Sequence, residues 1–277
     1  FTGVVFIACL YPFYLSVVLA LNEGKDTMRG GIYLWPRKFT LDNFAAFVND
    51  PAWINALWIS ITRTVIGTAV TVFFTTLFAY GLSYRTLVLR KVYLSLIIFA
   101  MYFHGGIIPL FVVLRSLGLT NNYLVYILPA AVNLFFVLVS IAFFQAIPSE
   151  LAESARLDGA SEFAIFTQII LRISAPLLAT IAIFVAVYQW NSWFDTAFFA
   201  PYNNRIRTLA YMLMTVINRT NTRSTLSAEA STYAASTVTP LSIQLAAMLV
   251  AVAPVVTVYP FFQRYFIGGM MLGSVKG

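Results

Sequence analysis

Six apolar runs, each long enough to thread a bilayer, partition this sequence: 1–21, 54–82, 92–114, 123–144, 174–199 and 241–262. A helix rises about 1.5 Å per residue, so about 20 apolar residues cross the hydrocarbon core. Backbone groups in hydrocarbon must bond within their own segment, which makes such runs helices. Composition agrees. Of 277 residues, 60% are hydrophobic and 10% charged, where a soluble domain carries about 25% charged residues. The expected fold is an all-α membrane protein, a single six-helix transmembrane domain over residues 1–277 with both termini on one side.

The net charge of +7 comes from 17 basic residues spread between the apolar runs. They form no basic patch, so membrane topology explains them better than nucleic acid does. Cys9 and His104 are the only cysteine and histidine, which excludes a disulfide framework and a His or Cys metal cluster. No G-x-x-x-x-G-K-[ST] run occurs, so the chain is not expected to hydrolyse ATP. No catalytic constellation appears either. The sequence starts at Phe1 rather than Met, and earlier residues of the gene product are expected to precede it. Run 1–21 lacks a basic n-region, and Val18-Leu19-Ala20 is a weak cleavage match, so it reads as a span rather than a signal peptide.

Segment 22–53 is polar, with Gly24, Gly30, Gly31, Pro36 and Pro51. Thr40 is placed to cap a short helix over 41–48, with Phe39 and Phe44 as a hydrophobic staple. The turn after the second run carries Arg85, Arg90 and Lys91, and the next turn only Arg115, which favours a cytoplasmic 2–3 turn. Lys25, Arg29, Arg37 and Lys38 on one segment and Arg205, Arg207, Arg219 and Arg223 on another leave the total count undecided. Segment 201–240 is rich in Ser, Thr and Asn, with a helix expected around 209–217.

The segment 145–173 holds the densest acidic cluster: Glu150, Glu153, Asp158 and Glu162 around Arg156. It reads as two short helices. Ser149 is placed to cap the first, with Glu150 at its positive end, and Gly159 to end it in a left-handed turn. Ser161 is placed to cap the second. Ala152, Ser154 and Ala155 give the first helix a small face that another protein could approach closely. Physics alone leaves open whether it docks in a groove or is an ordinary loop.

Residues 148–160, Pro-Ser-Glu-Leu-Ala-Glu-Ser-Ala-Arg-Leu-Asp-Gly-Ala, resemble the EAA loop of ABC importer permeases. Glu153 is the core acid, Ser154 and Ala155 the small pair and Gly159 the glycine. Ile169, Ile170, Leu171 and Pro176 match the motif's tail. Ser154 stands where alanine is usual, and Arg172 where proline is usual. Residues 39–44, Phe-Thr-Leu-Asp-Asn-Phe, match the family's segment before its second span. The layout resembles the maltose-type carbohydrate permeases, a type I importer fold. Trp190-Asn191-Ser192-Trp193-Phe194-Asp195 resembles the branch for complex or acidic oligosaccharides, which includes the second permease of alginate importers.

The resemblance implies a multi-pass subunit of the bacterial inner membrane, with both termini and the EAA-like loop cytoplasmic. It implies a coupling helix in which Glu150, Glu153, Ser154, Ala155, Asp158 and Gly159 dock on a separate ATPase dimer. ATP and Mg would bind that dimer, and this chain would hold no cofactor or metal. A second homologous permease, an extracytoplasmic sugar-binding protein and membrane lipid are the implied partners; nucleic acid is not. Transport would proceed by alternating access.

The residues themselves nominate a pathway. Polar groups inside spans face the bundle or a watery cavity. Arg63 could bind an anionic sugar or a helix-end carbonyl, or snorkel to the outer interface. Tyr188, Gln189, Trp190, Asn191, Trp193 and Asp195 mix aromatic faces with hydroxyl-binding groups, as a carbohydrate site needs. An interfacial aromatic belt would use the same residues. Asp195 would repel an acidic sugar and is expected to pair with a basic residue or face the outer gate. His104-Gly105-Gly106 reads as a structural turn, and Met270-Met271 as packing. The rivals are an ion-gradient-driven secondary transporter, which usually shows internal repeats and intramembrane acids, and an ABC permease for a non-sugar substrate.

Overall fold

The apolar runs are largely helical in a computed structural model, which describes residues 1–103, 105–225, 238–239 and 241–257. His104, Met270, Met271 and the end of run 241–262 lie outside the described residues. In order, α1 spans Thr2–Ala20, α2 Gly24–Met28, α3 Asp42–Val48, α4 Pro51–Ser83, α5 Arg90–Tyr102 and α6 Ile107–Ser116. Two 3-10 turns, Tyr123–Tyr126 and Leu128–Ala130, lead into α7 at Leu134–Phe144. Then come α8 at Ser149–Leu157, α9 at Glu162–Ala164, a π-helical turn at Ile165–Ile170, and α10 at Leu171–Ile173. The last are α11 at Ala175–Asn191, α12 at Phe194–Phe199, α13 at Leu209–Thr225 and α14 at Leu241–Thr257.

Among the described residues, α1 and α4 are each long and apolar enough to cross a membrane alone. Three bent helix pairs raise the number to at most five by length and composition. The runs are more broken than their hydropathy suggests. Run 92–114 is divided: α5 stops at Tyr102, and α6 restarts at Ile107 after Gly106, whose φ of 85° suits only glycine. Run 123–144 opens with the 3-10 turns and bends by 44° into α7. Groups freed by that bend find partners on α4. The Thr71 hydroxyl donates to the Ala130 carbonyl at 2.7 Å, and the Asn133 N–H to the Thr75 hydroxyl at 3.0 Å. Such internal satisfaction is what hydrocarbon demands of irregular backbone.

The chain divides into two units. The first joins Phe1–Ser60 to Asn204–Val258. Here the chain doubles back after α1, pairing Asn22 with Phe39 antiparallel. The buried Asn22 carboxamide ties the turn, donating to Thr27 at 3.0 Å and to Asp26 at 3.2 Å and accepting from the Lys38 N–H at 2.8 Å. Arg37 closes the loop on Asp26 at 3.0 Å. Helix α3 starts one residue later than expected: the Thr40 hydroxyl accepts from the Asp42 N–H at 3.1 Å, Leu41 takes the N-cap position, and the Phe39 ring is exposed rather than stapled. Gly24 is required by proximity, since a Cβ there would lie 2.6 Å from the Thr239 backbone nitrogen.

The second unit covers Ile61–Asn203 among the described residues. Its core joins Ala79, Tyr80 and Leu82 of α4 to Val137, Ile141 and Phe144 of α7, Ile165, Phe166 and Ile170 of the π-turn, and Leu177, Ile181 and Val185 of α11. Because lipid tails are as apolar as these side chains, the packing is held by close van der Waals contact rather than by escape from water. This core holds the loop after α7 against the end of α4.

Candidate functional site

Helix α8 begins at Ser149, with Pro148 in the N-cap position and no side-chain cap. This corrects the expectation that Ser149 caps: the proline's fixed φ of −57° with ψ of 129° already turns the chain into the helix. Glu150 sits in the first turn and Arg156 in the last, each complementing the helix dipole. The C-terminus is a full Schellman motif. The Ala160 N–H reaches the Ala155 carbonyl at 2.9 Å, the Gly159 N–H reaches Arg156 at 3.0 Å, and Gly159 sits at φ 83°. Ser161 caps α9 by accepting from the Ala164 N–H at 3.2 Å.

The two faces of α8 differ. Ala152 and Ala155 are half-buried against the core of their own unit. The small face thus lets α8 lie close to its own chain, and of the three small residues Ser154 alone is exposed. The outward surface is Glu150, Glu153, Ser154, Asp158 and Gly159, with Leu157 90% exposed. An acidic helix face around a bare leucine is chemistry for a protein partner rather than for a sugar.

Behind α8 lies a cluster that only the fold reveals. Arg156 Nε donates to Glu162 Oε1 at 2.6 Å. The Tyr80 and Tyr84 hydroxyls each lie 2.9 Å from Glu162 Oε2. Arg156 Nη2 also donates to the Tyr84 hydroxyl at 2.7 Å, and its guanidinium carbon lies 5.5 Å from the Tyr84 ring centroid. The hydrogen bond from Arg156 holds the Glu162 carboxyl down at about 2, opposed by partial desolvation and helped by both phenols. Glu162 in turn raises Arg156 above its ordinary value. Burial pushes Tyr84 up, with the Glu162 charge adding to it. The Tyr80/Tyr84 spacing of four residues at the end of an apolar run was the available signal.

The nominated pathway residues divide into two groups. Arg63, Gln189 and Asp195 converge. Arg63 is fully buried, so it does not snorkel. It forms an ion pair with Asp195, donates from Nε to Gln189 Oε1 at 2.8 Å, and donates from Nη1 to the Ser192 carbonyl at 3.2 Å. Its guanidinium lies 4.6 Å from the Tyr126 ring centroid. The Ser192 hydroxyl donates to Asp195 at 2.6 Å, and Gln189 Nε2 to the Tyr126 carbonyl at 3.3 Å. Gly67 makes room for Gln189, since a Cβ there would lie 2.6 Å from its Nε2. The cluster explains why run 174–199 is broken. Ser192 leaves helical geometry at ψ 116°, its carbonyl meets Arg63, and α12 returns Asp195 to the same cation. Each Arg63 nitrogen makes a hydrogen bond and the side chain is fully buried, so an anionic sugar could reach it only by rearranging this cluster.

Of the other nominees, Tyr188 adjoins that cluster through a side-chain hydrogen bond with Ser192. Trp190 is buried. Tyr188, Asn191 and Trp193 are exposed, and one Asn191 N–H donates to the Val187 carbonyl at 2.9 Å. Tyr126, Ser192 and Thr196 complete the cluster and were not nominated. Thr196 donates to the Tyr126 hydroxyl at 3.1 Å. Nothing local to residue 126 marks it. Among the described residues no group of three His, Cys, Asp or Glu side chains is placed to hold a metal.

Residues 73–271 match the family described as binding-protein-dependent transport system inner membrane component. Protein LplC of Bacillus subtilis (strain 168) is 37% identical over 100% of this chain and 92% of its own length. The polygalacturonan/rhamnogalacturonan transport system permease protein YtcP of the same organism is 36% identical over 97% of this chain and 93% of its own. The arabinooligosaccharides transport system permease protein AraQ of Halalkalibacterium halodurans is 30% identical over 100% of this chain and 94% of its own. In the crystal structure of a bacterial ABC transporter involved in the import of the acidic polysaccharide alginate, one chain superposes with a TM-score of 0.86 at 26% identity, covering 96% of this chain and 93% of that one. The EAA-like helix and the family match agree: this chain belongs to the binding-protein-dependent transport system inner membrane components, the permease subunits of ABC importers.

Proposed function

We propose that this chain is one of two homologous permease subunits of an ATP-driven importer that carries oligosaccharides, acidic ones among them, across the bacterial inner membrane. The observation that carries the proposal is α8: nine residues, acidic and exposed outward, alanine-faced inward, stopped by a glycine. In a permease of this family such a helix is suited to seat in an ATPase cleft. Six spans in one domain would then place α8 and both termini in the cytoplasm. ATP and Mg belong to the ATPase dimer, and an extracytoplasmic binding protein delivers the sugar. The acidic-sugar reading is supported by the polygalacturonan/rhamnogalacturonan permease and the alginate transporter among the similar proteins.

Because Arg63 is already neutralised by Asp195, recognition of the sugar falls to the exposed aromatic and amide groups, Tyr188, Asn191 and Trp193, which stack on rings and bond hydroxyls. Alternating access then needs differential binding of nucleotide to two states of the assembly.

The test uses the purified complex with its binding protein and a panel of tetragalacturonate, rhamnogalacturonan, arabino- and alginate oligosaccharides, with maltotetraose as a neutral arm. ATPase stimulation by an acidic member is expected. Glu153→Lys and Gly159→Pro are expected to abolish uptake while the subunit still inserts. Uptake by those variants at wild-type rates with normal assembly would sink the docking role, and uptake driven by an ion gradient without ATP would sink the importer reading.

A further inference from the structure

The loop carrying α8 reaches the membrane helices along the chain, through the apolar core in which Ile165, Phe166 and Ile170 pack with the end of α4, and across polar side chains. Along the chain it passes the π-helical turn Ile165–Ile170 and then an 83° bend into α11. A π-turn is a local departure from the helical register, and a sharp bend transmits little axial push. Across side chains the route is direct, from Arg156 and Glu162 to Tyr80 and Tyr84 at the end of α4.

We propose that Glu162, Arg156, Tyr80 and Tyr84 form a strut that makes the α8 loop and the end of α4 one mechanical body, so that displacement of α8 is delivered along α4 to Arg63. The proposal rests on the reading that α8 docks on an ATPase. Three features of the geometry support it. The tie is multiple: a forked guanidinium on one carboxylate, two phenols on the same carboxylate, and a cation over a ring. The end of α4 is also braced from outside the strut. Gln145 Nε2 donates to the Ser83 carbonyl at 3.1 Å and Arg90 Nε to the Leu82 carbonyl at 2.9 Å, filling acceptors that a helix C-terminus leaves open.

The third feature is where α4 leads. Helix α4 is continuous, with its single proline at its first residue, and about 25 Å of axis separates Tyr80 from Arg63. At that distance Arg63 holds Gln189 of α11, the Ser192 carbonyl at the helix break, and Asp195 of α12. One continuous helix thus carries the α8 loop at its C-terminal end and the α11–α12 break at Arg63, part-way along it. The four strut residues are positioning residues: they touch neither sugar nor nucleotide.

The experiment reconstitutes the complete complex in proteoliposomes and measures tetragalacturonate uptake per ATP hydrolysed. Glu162→Ala is expected to assemble and to keep binding-protein-stimulated ATPase, while uptake per ATP falls at least fivefold. Glu162→Gln keeps an acceptor oxygen and is expected to recover more than half. Tyr80→Phe with Tyr84→Phe is expected to fall between. A ratio within twofold of wild type for Glu162→Ala overturns the strut, as does parallel loss of assembly, ATPase and uptake, which would mark a fold-stabilising contact only. A second measurement needs no strut variant. Spin labels on Leu87→Cys and Phe163→Cys, in a Cys9→Ser background, are expected to keep the same separation within about 2 Å between nucleotide-free and vanadate-trapped complexes; a larger change overturns the single-body claim. A wild-type complex that shows no ATP-dependent uptake of any panel sugar refutes the underlying reading instead, and the strut with it.

Discussion

Replacing Arg63 by methionine removes the cation and keeps most of the side-chain volume. The structure sets the size of the effect. Asp195 loses its ion pair and retains only the Ser192 hydroxyl, while Gln189 Oε1 and the Ser192 carbonyl each lose a charged donor. Breaking a buried pair by removing one partner costs about 3–5 kcal/mol. The Asp195 side chain is 17% exposed, which places the cost near the lower end. At about 2–4 °C per kcal/mol for chains of roughly this size, a loss near 3 kcal/mol lowers the midpoint by roughly 6–12 °C. The assay is the fraction of detergent-solubilised protein that stays monodisperse by gel filtration after stepwise heating. The double variant Arg63→Met, Asp195→Leu removes both charges and is expected to recover most of the loss, because apolar replacement of a buried pair is often neutral or stabilising. A single variant as heat-resistant as wild type, or a double variant worse than the single, would refute the claim that the pair is a desolvated structural tie.

Gly159→Ala is expected to cost about 1–2 kcal/mol, because nothing lies within 4 Å of the added Cβ and the whole penalty is the left-handed φ of 83°. Gly159→Asn should cost less, and a ranking Gly, Asn, Ala in co-purification with the ATPase checks it. Acidification gives the other test. The Arg156 hydrogen bond holds Glu162 below its ordinary 4.5, so its stabilisation is fully present above pH 4.5 and is lost as pH falls through the lowered value. The carboxylate is 57% exposed, so screening limits the effect to under about 1 kcal/mol. A labelled Glu162 carboxyl should therefore show a chemical-shift midpoint below 4.5; a midpoint at or above 4.5 would show the Arg156 contact is absent in solution.

What the sequence disclosed was local. Apolar runs marked α1, α4 and α11, and the Gly159 stop and Ser161 cap could be read from residues two or three apart. The N-cap of α8 was misread because Pro148 and Ser149 are both acceptable there and only backbone angles separate them. The division of run 92–114 was hidden by hydropathy, which counts side chains and does not see Gly106 leave the helical basin. The Arg63 cluster was half legible. The lone cation and the polar end of α11 stood out, but their partnership spans 126 and 132 residues, and no periodic pattern encodes a contact that distant. Tyr126 supplies a ring, a carbonyl and a hydroxyl to that cluster from an otherwise unremarked apolar turn.

The 132-residue separation of Arg63 and Asp195 also has a meaning during synthesis. At about 5–20 residues per second, the arginine emerges roughly 7–26 seconds before its counter-charge. Helix α4 therefore enters the bilayer with a lone cation, a burden of about 2.5–3.5 kcal/mol that its 33 mostly apolar residues must carry unaided. Only when α12 arrives does that charge find its partner. Truncation before residue 195, or loss of the aspartate, strands the arginine permanently. The second unit therefore completes its charge balance only with the arrival of α12.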